Sequence, residues 1–212
     1  MDQETLKATI KDIKQSFRFY MNGITAQSLR DKGQPFHLIW GISLLHLHEM
    51  AADYPKDYDL ACTLWNENIR ECKILATLLM PEKELTHDTA LKWSATLVAQ
   101  EIADCSAKLF AAQPYAEELA DELALSTDNL QVILAFNIYG RLLTNCDTYN
   151  DGSMIPRELH NLLGSADKAL RNDNVNVRYA AIRALQRYAD LDTGYKNLVE
   201  TLLLAHNLGD WL

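Results

Sequence analysis

The residues best placed to do chemistry are one carboxylate and a set of cations on helical spacing. Gln100, Asp104 and Lys108 recur every four residues, so on a helix they share one face. A carboxylate there either faces a groove or pairs with Lys108 on a solvated surface, a contact of about 0.3–0.5 kcal/mol. Arg70, Lys73, Arg178, Arg183 and Arg187 fall in segments that read as the second helices of helix pairs, and Lys108 joins them. Second helices line the inner side of a helical-repeat stack. Cations there would track phosphates, with Arg favoured for its bidentate fork. Any anionic partner would use the same face.

Other constellations are weaker. Asp147-Thr148-Tyr149-Asn150-Asp151-Gly152, followed by Glu158, matches a calcium loop at positions one, five, six and twelve. Tyr149 stands at position three and Pro156 falls inside, so a polar turn explains the same letters. His46 and His48 are two apart and point to different helix faces, so with His37 they make a poor metal cluster. No metal and no cofactor are expected. Trp40, Trp65 and Trp93 fall among apolar positions, where packing is the expected role. There is no Walker loop, no G-x-G-x-x-G and no G-x-S-x-G, which leaves nucleotide hydrolysis and serine-hydrolase chemistry without support.

The elements that must position these residues are helices. Apolar residues recur at three- and four-residue spacing, as in Val132, Phe136, Tyr139 and Leu143, or Val177, Ala181, Leu185 and Tyr188. The pattern predicts helices over 2–21, 24–32, 43–54, 57–66, 68–80, 87–98, 100–112, 115–125, 129–145, 155–171, 175–190 and 193–206. Thr86 and Ser126/Thr127 stand at expected N-caps, Pro81 follows one helix and Pro114 opens another. No turn dipeptide separates alternating runs, so strands are not expected. Segment 33–42, GQPFHLIWGI, reads as a packed-down loop.

Second helices beginning near 68, 100, 129 and 175 follow partners beginning near 57, 87, 115 and 155. Helix pairs at a roughly fixed period imply a solenoid. The expected fold is all-α, about six helix pairs in a right-handed curved stack. It forms a single domain over 1–212, with N-terminal helices and a loop over 1–54 and repeats over 55–212. Segments 174–185 and 68–76 resemble the second helix of a HEAT repeat, each with an Asn cap, an aliphatic residue, an Arg and then small residues. In that repeat the Arg, here Arg70 and Arg178, also serves to link neighbouring repeats through a carboxylate.

Residues LWNENIRECKILATLL (64–79), WSATLVAQEIADCSAKLF (93–110), VRYAAIRALQRYA (177–189) and the opening stretch 20–51 resemble the HEAT-like alkylpurine DNA glycosylases, the DNA alkylation repair enzyme family. The resemblance covers about residues 5–190. It implies removal of cationic 3- and 7-alkylated purines from duplex DNA. A base already carrying positive charge leaves without a strong general acid, and one carboxylate stabilises the oxocarbenium character of the sugar. On this resemblance Asp104 is that carboxylate. Gln100 stands where the family has a Trp, and Arg183 where it has a second Trp. A family Arg falls near Val132–Ile133, where this chain has none. The resemblance thus implies DNA binding through Arg70, Lys73, Gln100, Lys108, Arg178, Arg183 and Arg187, with excision weakened or lost.

The chain of 212 residues carries a net charge of −9. Residues 1–34 hold six basic and four acidic groups (+2), 35–48 none, 49–126 six and fifteen (−9), and 127–212 eight and ten (−2). Non-specific whole-surface DNA binding is therefore not expected, and a local basic face is required. No apolar run approaches the ~20 residues of a membrane helix. The charged opening MDQETLKATIKDIKQ has no signal-peptide core, so a cytoplasmic monomer with four reduced cysteines is the expectation. Two function classes remain: a lesion-recognising DNA protein, and a non-catalytic scaffold binding DNA structures or a protein partner. A basic strip with Asp104 exposed within it favours the first. An acidic or apolar groove favours protein binding.

Overall fold

In the computed structural model, which describes residues 1–146 and 159–211, the protein is all-α. Among the described residues there are twelve α-helices, two 3-10 turns and a single isolated bridge in place of any sheet. The helices are α1 (Gln3–Tyr20), α2 (Gly23–Asp31), α3 (Leu44–Ala52), α4 (Tyr58–Trp65), α5 (Arg70–Leu79), α6 (His87–Ser94), α7 (Gln100–Ala111), α8 (Ala116–Ala124), α9 (Asn129–Cys146), α10 (His160–Leu170), α11 (Val175–Ala189) and α12 (Thr193–Ala205). None of them is long and apolar enough to cross a membrane. The calcium-like segment 147–158 lies outside the described residues.

Short polar side chains start most of these helices by accepting a backbone N–H that has no partner within the helix. Asp2, Asn22, Ser43, Asp57, Asn174 and Asp192 all do so. Thr86 accepts from Thr89 N–H at 3.2 Å, as its position implies. At α9 the cap is Asp128, which accepts from Leu130 N–H at 2.7 Å, and Ser126 instead accepts from Asp128 N–H. Asn68 is not the cap of α5 either. Leu38 pairs with Ile69 in the isolated bridge, which keeps Ile69 extended and delays the helix to Arg70.

The chain divides into two compact units, Met1–Trp93 and Ser94–Leu212. In the first unit α3 and α4 pack on α5, and α1 packs on α4. Trp65 and Trp93 stack at 4.2 Å within this core. Every residue of α5 except Leu78 is buried, including Arg70, Glu71 and Lys73. Burying those charges demands partners. The Glu71 carboxylate accepts N–H bonds from Trp40 (3.1 Å), Gly41 (2.9 Å) and Ile42 (3.4 Å) and pairs with the Arg70 guanidinium at 2.9 Å. Arg70 also donates to the Ile42 carbonyl at 2.9 Å. Three successive N–H groups form an anion-binding nest, and Glu71 fills it. The nest depends on Gly41, whose φ is +74° and whose added Cβ would stand 2.3 Å from the Asn22 carbonyl oxygen.

In the second unit α9 lies at the centre, with α7, α8 and α11 packed on it and α10 and α12 on α11. Small residues permit the approach: Ala103, Ser106 and Ala107 on α7, and Ala180, Ala181 and Ala184 on α11, are all buried. The buried Tyr139 hydroxyl donates to Asp121 of α8, and Asn161 of α10 donates to the same carboxylate at 2.6 Å. Cys62, Cys72 and Cys105 are free thiols, and burial pushes the Cys72 thiol up to about 12.

Glu71→Gln should be among the most destabilising single changes in the first unit. It takes the negative charge out of a buried ion pair with Arg70 and out of the nest of three N–H groups, a loss of about 3–5 kcal/mol. Urea unfolding should show that drop. An unfolding midpoint equal to wild type would remove the nest from its place in the fold.

Candidate nucleic-acid interface

The second unit brings three of its helices together with their polar edges in one row. On α7, Ile102, Ala103, Ser106 and Ala107 turn inward, which leaves Gln100, Asp104 and Lys108 along the open side. On α9 the half-buried Asn137 and Arg141 are one turn apart, with Gly140 between them. On α11 the exposed Arg183 and Arg187 are likewise one turn apart.

Asp104 is exposed, and its Oδ1 accepts a hydrogen bond from Asn137 Nδ2 at 2.7 Å. Among the described residues no ion pair joins it to Lys108. Its carboxyl is held above the ordinary aspartate range. The surrounding protein mass disfavours the charged form, and Glu101 adds to that. Arg183, the Asn137 bond and Arg141 pull the other way, in that order. The site is thus a carboxylate whose ionisation two guanidinium groups and one amide support against partial desolvation.

Beside it lies a cavity of about 340 Å³ lined by Gln100, Tyr179, Ile182, Arg183, Gln186 and Trp211, among others. Tyr179 and Trp211 meet with ring centroids 5.4 Å apart, and Gln186 donates to the Trp211 carbonyl at 2.6 Å. Gln100 and Arg183 therefore share a pocket with aromatic walls.

The remaining cations are placed differently. Arg187 Nη1 donates to the Gly140 carbonyl at 2.8 Å, which ties α11 to α9. Arg178 Nη1 donates to the carbonyls of Asn172 (2.6 Å) and Asp173 (3.2 Å), holding the turn before its own helix rather than a carboxylate of a neighbouring repeat. Arg70 and Lys73 are buried in the first unit. Lys73 Nζ donates to the Trp65 carbonyl at 2.7 Å and lies 4.7 Å from the Trp65 ring centroid. Neither Arg70 nor Lys73 presents its charge on an open face, because α5 is covered on nearly every side. Lys108 is exposed at the end of α7. His37, His46 and His48 are exposed too, with His46 against the Tyr20 ring.

Asn137 and Arg141 escape a reading of the sequence alone. Val132 and Ile133 are both buried, and the cation of this helix is Arg141, two turns further on. The available signal was a polar pair at i, i+4 inside a helix that is otherwise almost wholly apolar.

The family of DNA alkylation repair enzymes matches residues 13–193. A solved structure described as "A new family of proteins related to the HEAT-like repeat DNA glycosylases with affinity for branched DNA structures" superposes with a TM-score of 0.78. That match has 15% sequence identity and covers 92% of this chain and 81% of that one, so the fold is HEAT-like. No curated protein matches the chain.

A raised carboxyl has a stability consequence. The folded state binds the Asp104 proton more tightly than the unfolded chain does, so the ionised form costs stability at neutral pH. Asp104→Asn should therefore unfold at higher urea than wild type at pH 7. The gap should close as pH falls through the raised value and vanish below about 3.9, the unfolded aspartate value. Arg183→Ala should move the Asp104 carboxyl titration, followed by NMR, further upward. An unmoved or lowered titration would disconnect the two groups.

Proposed function

The chain belongs to the DNA alkylation repair enzyme family, and from that premise we propose that it binds duplex DNA on the α7–α9–α11 face and excises 3- and 7-alkylated purines there. The observation that carries the reading is Asp104: a solvent-open carboxylate, oriented by Asn137, between the charges of Arg183 and Arg141.

The chemistry suits a single carboxylate. An alkylated purine leaves as a neutral base once its glycosidic bond breaks, so the protein need not supply a proton to it. Positive charge moves to the sugar, and Asp104 faces that charge with the oxygen that Asn137 leaves free. A preorganised group of this kind acts without reorganising as the bond breaks. Arg183 is exposed and suited to a phosphate beside the lesion. Gln100 completes the pocket with an amide in place of an aromatic wall. Arg187 and Arg178 serve this face by fixing α11 rather than by touching DNA.

A second reading is binding of DNA structure without excision. Gln100 favours it, because an amide offers less stacking area to a damaged base than the family Trp. The relative whose description names affinity for branched DNA supports the same reading.

Base release from alkylated duplex DNA separates the two. Under the first reading Asp104→Asn should lower release by ~100-fold or more with DNA affinity almost unchanged. Arg183→Ala should weaken duplex binding and reduce the slope of log affinity on log salt by about 0.9, one phosphate contact. A wild type that binds branched or duplex DNA but releases no base would establish the second reading. Equal release by Asp104→Asn would remove Asp104 from the chemistry.

A further inference from the structure

A second cationic surface lies in the first unit, on α1, and its cations are not among those discussed above. Lys7, Lys11, Lys14 and Arg18 follow one another at i, i+4, i+7 and i+11, so they form a single stripe along the helix. At 1.5 Å per residue the stripe runs about 16 Å. Ile13 and Phe17 turn inward to the core from the adjacent face, so the stripe stays at the surface. Lys7, Lys11 and Arg18 are exposed. Lys14 is half-buried and bonded to Glu67 at 2.5 Å.

The stripe borders a cavity of about 450 Å³. Its floor is apolar and includes Ile10, Leu38 and the half-buried Trp40, whose inner side packs toward Phe17 at 6.2 Å between ring centroids. The floor is held in place by the Glu71 nest, which binds the Trp40 and Gly41 N–H groups, and by the bridge at Leu38. A row of cations beside a shallow apolar floor with one aromatic face fits a ligand with regularly spaced anions and flat apolar groups. A duplex shows only phosphates and groove edges to such a surface. A single strand offers both its phosphates and the faces of its bases.

We propose that the α1 stripe and the Trp40 floor bind single-stranded DNA. The phosphates lie along Lys7, Lys11 and Arg18, and one base stacks on Trp40. An acidic peptide would meet the same cations but has no flat group for the floor. This surface shares no residue with the Asp104 face, and the proposal is independent of excision.

Fluorescence anisotropy with a short labelled oligothymidylate and with a duplex, between about 50 and 200 mM salt, tests it. Each phosphate contact to a single strand contributes about 0.7 to the slope of log affinity on log salt, so Lys7→Ala/Lys11→Ala should lower that slope by about 1.4. Trp40→Ala should weaken binding by about 5- to 150-fold. Because Trp40→Ala also removes core packing, Trp40→Phe supplies a second readout: the quenching of tryptophan emission by the oligonucleotide should be lost while the helical circular dichroism stays that of wild type. An unchanged slope in the double variant would overturn the proposal. So would quenching that persists in Trp40→Phe, equal weakening of duplex and single-strand binding, or displacement of the strand by polyglutamate at equal charge.

Discussion

The bond from Arg187 to the carbonyl of Gly140 sets α11 against α9, and the polar row of the second unit depends on that register. An added Cβ at 140 would come 2.8 Å from Arg187 Nη1, so the guanidinium would have to shift off this contact. The same carbonyl also accepts from the Thr144 hydroxyl at 2.9 Å, so it carries side-chain donors from two helices. One turn before Arg187 lies Arg183, and one turn before Arg141 lies Asn137, which reaches across to Asp104 on α7. A slip of α11 by one residue would rotate Arg183 by about 100° around the helix axis and remove its charge from Asp104. Positioning here comes from a backbone carbonyl and a packed glycine, while the groups free to act are those left open beside them.

The two units treat similar cations in opposite ways, and the difference is desolvation. Arg70 and Lys73 lie on a helix with almost no exposed face, so each must satisfy its charge internally: Arg70 with Glu71 and a carbonyl, Lys73 with a carbonyl and a ring face. Arg183 and Lys108 sit on the uncovered edges of α11 and α7 and keep contact with water. A buried, paired guanidinium has already given up its hydration and its partner site, so it has little to offer an incoming phosphate. An exposed one retains both.

That contrast marks what could be read from the sequence. The helices were legible in the apolar period, and of the caps read from the sequence Thr86 and Asn174 hold their helix starts, while those of α5 and α9 fall one residue further on. Asp104 was legible only through family resemblance, since the Gln100–Asp104–Lys108 spacing alone fits a surface ion pair equally well. Arg70 and Arg178 share one local pattern and have different fates, because distant residues 40–42 bury Arg70 and its neighbour Glu71 under a nest, whereas Arg178 keeps to the turn before its own helix. Asn137 and Arg141 were hidden for the same reason. Their role follows from which side of α9 is left uncovered, and three helices decide that together. The α1 stripe was concealed by summation, since residues 1–34 net only +2 although Lys7, Lys11, Lys14 and Arg18 share one face.

A chain with a net charge of −9 can still hold a polyanion, and the reason lies in distance rather than in totals. At 0.1–0.15 M salt the Debye length is about 8–10 Å, so exposed carboxylates beyond that range contribute little to the field at a given cation. The acidic excess is concentrated in residues 49–126, and many of those groups are already engaged locally: Glu71 in its nest, Asp121 with Tyr139 and Asn161, Asp57 as a cap, Asp88 with Lys92. As salt falls, the screening length grows, and the whole negative surface begins to oppose an approaching strand. The same change strengthens each cation–phosphate contact. Low salt should therefore raise affinity through local contacts while long-range steering gives less than it would for a basic protein of equal contact number. The protein's electrostatics thus favour selection by local fit over capture at a distance.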